Sequence, residues 1–175
     1  MKRAELLRTI ESLFWEHAFS DLTMDHIAEK IGMKKASLYY HFPSKEAMFL
    51  AVLDTSFASY KAFLETILQK EDVNHLIHEL IFFPLANKNL FAVVLQKGYC
   101  QMTEARESLE KKRREIQKMF ENVCNERFGW SPQKTRLFFS LIESLSKQSC
   151  LENCEREDST EMIQEIQHLF FTTNT

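Results

Sequence analysis

Two residues, Gly32 and Pro43, limit the lengths of the helices around them more tightly than any other feature of the sequence. A glycine accepts the left-handed backbone conformation in which many helices end, so a helix capped by Thr23 is expected to end at Gly32. Proline lacks the amide hydrogen that a continuing helix needs, so the next helix must end by Phe42. The sequence therefore predicts two short helices joined by a tight glycine turn, which is the helix-turn-helix arrangement.

The spacing of residues within the second of these helices assigns its two faces. Leu38 and Phe42 lie four positions apart, so they share one face and are expected to pack on the apolar side of the preceding helix. Ala36 and Tyr40 have the same spacing and lie on the opposite face. This opposite face is the one that a helix-turn-helix presents to the major groove of DNA.

The rest of the chain also reads as helical, because three glycines and three prolines in 175 residues leave little material for the turns of a sheet protein. We expect an all-α fold of about nine helices, with a three-helix DNA-binding head over residues 1–47 and a larger helical body over residues 48–175, for which the family resemblance described below implies ligand binding and dimerisation. Pro84 is expected to separate two helices of the body. The helices predicted in the body are Val73–Phe83, Asn87–Gln101, Thr103–Glu126, Pro132–Ser149 and Ser159–Phe171.

The charge pattern supports a nucleic-acid partner locally, although the net charge of -3 argues weakly against one. The segment from Lys30 to Lys45 holds four lysines and no acidic residue, a confined basic patch of the kind that a phosphate backbone requires. Small side chains on the third helix allow close approach to base edges, and the sequence leaves open whether its paired lysines contact phosphates or read guanine. The predicted DNA-binding residues are Thr23, Lys34, Lys35, Ala36, Ser37, Tyr39, Tyr40, His41 and Lys45.

Residues 10–53 resemble the DNA-binding head of the TetR family of bacterial transcriptional regulators. The resemblance is carried without a gap by Ile27-Ala28, Gly32, Leu38-Tyr39, Phe42 and Lys45-Glu46. It implies a homodimer that binds palindromic double-stranded operator DNA, and a helical body that binds a small-molecule effector of unknown identity. Repression relieved by that effector is the implied function.

The body has a large aromatic content, since eleven of the fifteen phenylalanines follow residue 50. Each ring alone is best explained as ordinary core, but the resemblance implies a ligand pocket among these helices, and bundle interiors commonly hold ligands. We predict a pocket for an apolar or aromatic molecule lined by Phe63, Phe83, Phe91, Leu95, Tyr99, Phe120 and Phe138.

Dimerisation is predicted through the last two helices. In Pro132–Ser149 the stripe formed by Leu137, Phe138, Leu141 and Leu145 is taken as the core face. Phe139 lies well off this face and would face water in a monomer. The predicted dimer interface is Phe139, Ile142, Ile166, Phe170 and Phe171.

Other chemistry finds little support in the sequence. It contains no glycine-rich phosphate loop, no GxSxG elbow and no HExxH motif, so we expect no enzyme activity, no cofactor and no metal site. With neither a signal pattern nor a long apolar run, the protein is expected to be cytoplasmic, with no membrane association. Two alternatives remain: a regulator with the same head that responds to metals or thiols, through His75 and His78 or through Cys150 and Cys154, and a helical interaction protein without DNA binding.

Overall fold

The computed structural model describes residues 3–87, 102–152 and 160–172 of the chain, and these residues form eight α-helices and no strand. The predicted all-α class is therefore confirmed. The helix predicted over residues 87–101 lies outside the described residues, except for Asn87. The helices are α1 (Arg3–Glu16), α2 (Met24–Lys30), α3 (Lys35–His41), α4 (Lys45–Ile67), α5 (Val73–Ala86), α6 (Thr103–Phe128), α7 (Pro132–Glu152) and α8 (Thr160–Phe171).

The chain divides into two compact units. The first comprises residues 1–60 and 88–112, and the second comprises residues 61–87 and 113–175. The predicted domain boundary after residue 47 remains a prediction, because a division by compactness does not show where a DNA-binding function ends.

The first unit is built on an apolar core shared by α1, α2, α3 and the start of α4. Its centre is aromatic: the ring of Phe49 meets Phe14 and Phe19 edge to face, with centroids 5.4 Å and 5.3 Å apart. The buried hydroxyl of Ser56 on α4 donates to Glu11 Oε1 on α1 at 2.5 Å, which adds a polar tie to the same pair of helices. This core fixes the helix-turn-helix to the first half of α4.

The second unit is organised around α5, which packs against α7 and α8. Five rings from the end of α6, the loop after it, and the last two helices pack together with centroids 4.7–5.9 Å apart. We call this group the aromatic cluster; it consists of Phe128, Trp130, Phe138, Phe170 and Phe171. Glu143 of α7 pairs with Arg113 of α6 at 2.8 Å and with Lys147, one turn along its own helix, at 3.1 Å.

The prediction that Pro84 separates two helices is wrong, because α5 continues to Ala86. A proline at position 84 removes the amide that would bond to the carbonyl oxygen of Leu80 one turn earlier. In the structure that oxygen accepts a hydrogen bond of 3.0 Å from the buried hydroxyl of Ser146 on α7. The helix can pass through the proline because another helix satisfies the carbonyl that it leaves unpaired.

The core face predicted for α7 is also wrong. The buried positions are 135, 138, 139, 142 and 146, so Phe139 is 9% exposed and lies within its own chain, with its ring 5.2 Å from that of Phe120. Leu137, which was assigned to the core, is 68% exposed. The true core face includes Thr135 and Ser146, two polar residues that a hydrophobic pattern places on the surface.

Among the described helices, α4 alone is long and apolar enough to be considered as a membrane span. The core helix of a soluble protein passes the same test, and α4 buries Met48, Phe49, Val52 and Leu53 in the core of the first unit. We therefore describe α4 as a core helix.

Candidate nucleic-acid interface

The third helix presents one anchored face and one exposed face. Leu38 and Phe42 are buried in the core of the first unit, as the spacing predicted. On the outer side, Ala36 and Ser37 are exposed, and the ring of Tyr40 is 88% exposed. A large ring in this position has no role in the core, so α3 offers a rigid surface for contact with another molecule.

The helix cap at Thr23 and the turn at Gly32 set where α2 begins and where α3 follows it. The Thr23 hydroxyl accepts a hydrogen bond of 3.2 Å from the amide of His26 and caps α2, as predicted. Gly32 has φ +67°, and the following amide, that of Met33, donates back to the carbonyl of Ala28 at 2.8 Å. This left-handed turn is the one that the position of the glycine predicted, and it lets α3 begin at once.

Lys45 has a structural role that sequence reasoning missed. Its ammonium donates to the carbonyl oxygens of Phe19 at 2.6 Å and Leu22 at 2.7 Å, and it lies 4.1 Å from the centroid of the Phe19 ring. Lys45 therefore holds the loop between α1 and α2 against the start of α4. One of its three donors remains for a phosphate, and its predicted phosphate contact stays a prediction.

Lys35 is paired with an acid that lies outside the basic segment. Its Nζ lies 2.6 Å from Oδ1 and 2.8 Å from Oδ2 of Asp25, in the first turn of α2. The hydrogen bond to this carboxylate raises the pKa of Lys35 above its ordinary value of 10.5. A count along the sequence found no acid between residues 30 and 45, but the turn brings one to the exposed side of α3.

Other predicted residues lie along α3 or at its start, near the pair of Asp25 and Lys35. Lys34 is exposed at the start of α3, and among the described residues it forms no ion pair, so it is a cation available to a phosphate. Tyr39 is 43% exposed with its ring 6.0 Å from the Lys35 ammonium, and the half-buried ring of His41 lies 5.5 Å from Tyr40. Eight of the nine predicted DNA-binding residues thus lie on α3, at its N-cap or at the start of α4, and the ninth, Thr23, caps α2.

Four of the seven predicted pocket residues lie within the described part of the chain. Phe91, Leu95 and Tyr99 lie outside the described residues. Phe63 and Phe83 are half-buried and stack with centroids 3.6 Å apart, whereas Phe120 and Phe138 are fully buried against other rings. A separate open cleft of about 510 Å³ lies between the starts of α5 and α8 and is lined by Asp72, Asn74, His75, His78, Glu79, Thr160, Ile163 and Gln164. None of the predicted pocket residues lines this cleft.

The predicted dimer residues pack within their own chain. Ile142 and Ile166 are buried, and Phe170 and Phe171 are half-buried in the aromatic cluster. The large apolar side chains that the last two described helices leave exposed are Leu137 and Leu169, at 68% and 66%. The predicted interface residues and dimerisation itself stay predictions.

The residues considered for metal or thiol sensing give no assembled site among the described residues, where no group of three His, Cys, Asp or Glu side chains is placed to bind a metal. The side chains of Cys150 and Cys154 lie outside the described set. Burial raises the pKa of Cys124 to about 11, although Thr135 and Arg127 act to lower it. A thiol with that pKa is almost entirely protonated at neutral pH and reacts poorly.

Comparison with known proteins agrees with this geometry. Residues 6–52 match the family described as bacterial regulatory proteins, tetR family. Over 100 residues the chain is 33% identical to the biofilm operon negative transcriptional regulator IcaR of Staphylococcus epidermidis, covering 56% of this chain and 51% of that one. It is 38% identical to the regulator RutR of Escherichia coli over 68 residues, or 37% of this chain and 32% of that one. The chain thus spans about half of the length of IcaR and about a third of the length of RutR.

Solved structures match over nearly the whole chain. The reduced form of NemR from Escherichia coli has a TM-score of 0.75 at 20% identity and covers 99% of both chains. The regulator FadR from Bacillus subtilis, solved in complex with stearoyl-CoA, has a TM-score of 0.72 at 16% identity and covers 98% of both chains. At these identities the matches show the fold.

Proposed function

We propose that the chain is a sequence-specific DNA-binding repressor of the TetR type, which acts in the cytoplasm as a homodimer and has no enzymatic activity; the match of residues 6–52 to that family supports the proposal. The first unit supports the proposal by presenting α3 with its apolar face buried and its outer face open. Lys34 adds positive charge at one end of that face, and non-specific affinity for DNA comes mostly from such contacts with phosphates.

The observation that carries the proposal is the exposure of Tyr40. A tyrosine ring that is 88% exposed in the last turn of a seven-residue helix contributes little to the core, while the same helix is held in place by Leu38 and Phe42. Aromatic and small side chains on a rigid helix are suited to contact base edges and thymine methyl groups in the major groove. A ring kept in water on the recognition face is best explained by a surface that it meets in the complex.

The direct experiment is selection of bound fragments from the source genome, followed by binding measurements at several salt concentrations. Replacing Tyr40 by alanine should weaken binding to the selected operator by about 5- to 150-fold, corresponding to ~1–3 kcal/mol, and leave non-specific binding unchanged. Tyr40→Phe separates the hydroxyl from the ring, and an unchanged melting temperature shows that the fold is intact. Failure of the wild-type chain to select any sequence would refute the proposal.

We further propose that the body binds an apolar or aromatic effector that lowers operator affinity. The half-buried stacked pair of Phe63 and Phe83 supports this, because it presents aromatic surface within the second unit. A ligand that binds the folded body raises its melting temperature, and it releases DNA only if it prefers the conformation that binds DNA poorly. Screening small aromatic and acyl compounds for both effects tests the proposal; compounds that stabilise the protein without lowering operator affinity would contradict it.

The homodimer is proposed to form on α7 and α8 around Leu137 and Leu169, two large apolar side chains that are exposed in the described part of these helices. Twofold symmetry would place two copies of α3 on half-sites about one turn of DNA, ~34 Å, or somewhat more apart. Sedimentation of the wild type and of Leu137→Glu at micromolar concentration tests this. A 20.7 kDa species in the wild type that still binds a palindromic operator tightly would refute it.

A further inference from the structure

The ion pair between Asp25 and Lys35 lies on the exposed side of the helix-turn-helix, and the fold does not account for it. Both side chains are more than half exposed, at 61% and 56%. Exposed pairs of this kind contribute little to stability. Asp25 also places a carboxylate on a face that approaches DNA phosphates, where a negative charge weakens binding unless it has a second role.

The geometry of the ion pair suggests that Asp25 orients the Lys35 side chain. An ammonium group has three hydrogen-bond donors, and the two oxygens of the Asp25 carboxylate, at 2.6 Å and 2.8 Å, both lie on one side of it. At least one donor on the other side remains available. The pair as a whole has no net charge, so Lys35 loses most of its general attraction to phosphates while its side chain is held in one orientation.

We propose that Asp25 is a specificity-determining positioning residue, which neutralises Lys35 and directs its remaining donor to an acceptor on a base edge of the operator. The inference rests on the proposed function. Guanine presents two acceptors, N7 and O6, in the major groove, whereas adenine has a donor beside its N7 and thymine a methyl group beside its O4, so we assign guanine as the base recognised by Lys35. Lys34, which has no acidic partner among the described residues, supplies the phosphate contact that is independent of sequence.

The test compares Asp25→Asn with Glu29→Gln, which removes the same charge from an exposed position on the same helix. Releasing Lys35 to bind phosphates should add one contact on any sequence. The slope of log affinity against log salt on non-specific DNA then becomes steeper by about 0.9. Between ~1 M and ~0.1 M salt, the variant therefore gains about eightfold more affinity than the wild type does. Operator affinity should rise by less or fall, so the ratio of specific to non-specific affinity decreases.

A second set of variants assigns the effect to the pair. In a Lys35→Ala background, Asp25→Asn should act no differently from Glu29→Gln, because no ammonium is left to release. In wild type, substituting the guanine contacted by Lys35 should weaken binding, and the same substitution should matter less in Asp25→Asn.

The outcomes are distinct. Equal salt slopes and equal specificity ratios for Asp25→Asn and Glu29→Gln, in a chain that binds its operator, overturn the inference and leave the proposed function standing. Persistence of the Asp25→Asn effect without Lys35 also overturns it. A wild-type chain that binds no DNA refutes the proposed function, and the inference falls with it.

Discussion

Replacing Lys45 by alanine is expected to destabilise the first unit, in addition to removing a charge that we propose contacts a DNA phosphate. The ammonium donates to two loop carbonyl oxygens, those of Phe19 and Leu22, and lies over the Phe19 ring. A hydrogen bond from a charged donor contributes about 1.5–3 kcal/mol, and a cation over an aromatic face adds about 0.5–1 kcal/mol at a partly exposed site.

These contributions overlap, because water replaces part of what is lost at a site that is only partly buried. We therefore expect a loss of about 2–4 kcal/mol in the free energy of unfolding. For a chain of this size that corresponds to a fall in melting temperature of about 4–16 °C. Lys45→Met keeps most of the apolar stem and loses the ammonium, so it should show most of the same loss.

Thermal unfolding and DNA binding measured on the same variants separate the two roles of Lys45. Lys34→Ala is the matched control, since Lys34 is exposed and unpaired among the described residues. It should leave the melting temperature unchanged and reduce the salt slope of DNA binding by about 0.9. If Lys45→Ala and Lys45→Met unfold at the wild-type temperature yet bind DNA weakly, the structural role is wrong and Lys45 acts as a phosphate contact.

Three further predictions concern the second unit. Ser146→Ala leaves the buried carbonyl of Leu80 without a partner and should cost about 1–3 kcal/mol in chemical denaturation, whereas Ser140→Ala, at an exposed position of the same helix, should be neutral. Burial alone would raise the pKa of Glu143, but its two cationic partners outweigh burial and lower the pKa below 4.5. The stability from this group is therefore present above pH 4.5 and lost as pH falls through the lowered pKa, so Glu143→Gln should flatten the acid limb of a stability curve. Cys124, with a pKa of about 11, should resist thiol reagents at pH 8 until the protein unfolds, in a chain whose other cysteines are serine; rapid labelling of the native protein would contradict this.

The helix-turn-helix could be predicted from the sequence because its determinants are local. Thr23, Gly32 and Pro43 each act within about one helical turn of their own position, so the beginnings and ends of α2 and α3 follow from single residues. The partners of the lysines could not be predicted in the same way. Asp25 reaches Lys35 only because the turn orients two helices, and Lys45 meets carbonyl oxygens more than twenty positions earlier in the chain.

The errors in α7 have a related cause. A hydrophobic pattern assigns the core face to leucines, but the core face of this helix includes Thr135 and Ser146. Ser146 donates to a buried carbonyl oxygen on another helix, that of Leu80. The buried hydroxyl of Thr135 lies beside Cys124 and has no hydrogen-bond partner among the described residues. A hydrophobic pattern along α7 alone predicts neither position.

The hydrogen bond between Ser146 and Leu80 has a consequence for how this sequence can vary. Pro84 lacks the amide that would donate to the carbonyl oxygen of Leu80. The hydroxyl of Ser146, on another helix, donates to that oxygen instead. Loss of the hydroxyl while the proline is present leaves a buried acceptor unpaired, whereas replacing the proline first restores the helical bond and makes the hydroxyl dispensable. In related chains the two residues should therefore be inherited together, and the order in which they are substituted should decide which intermediates fold.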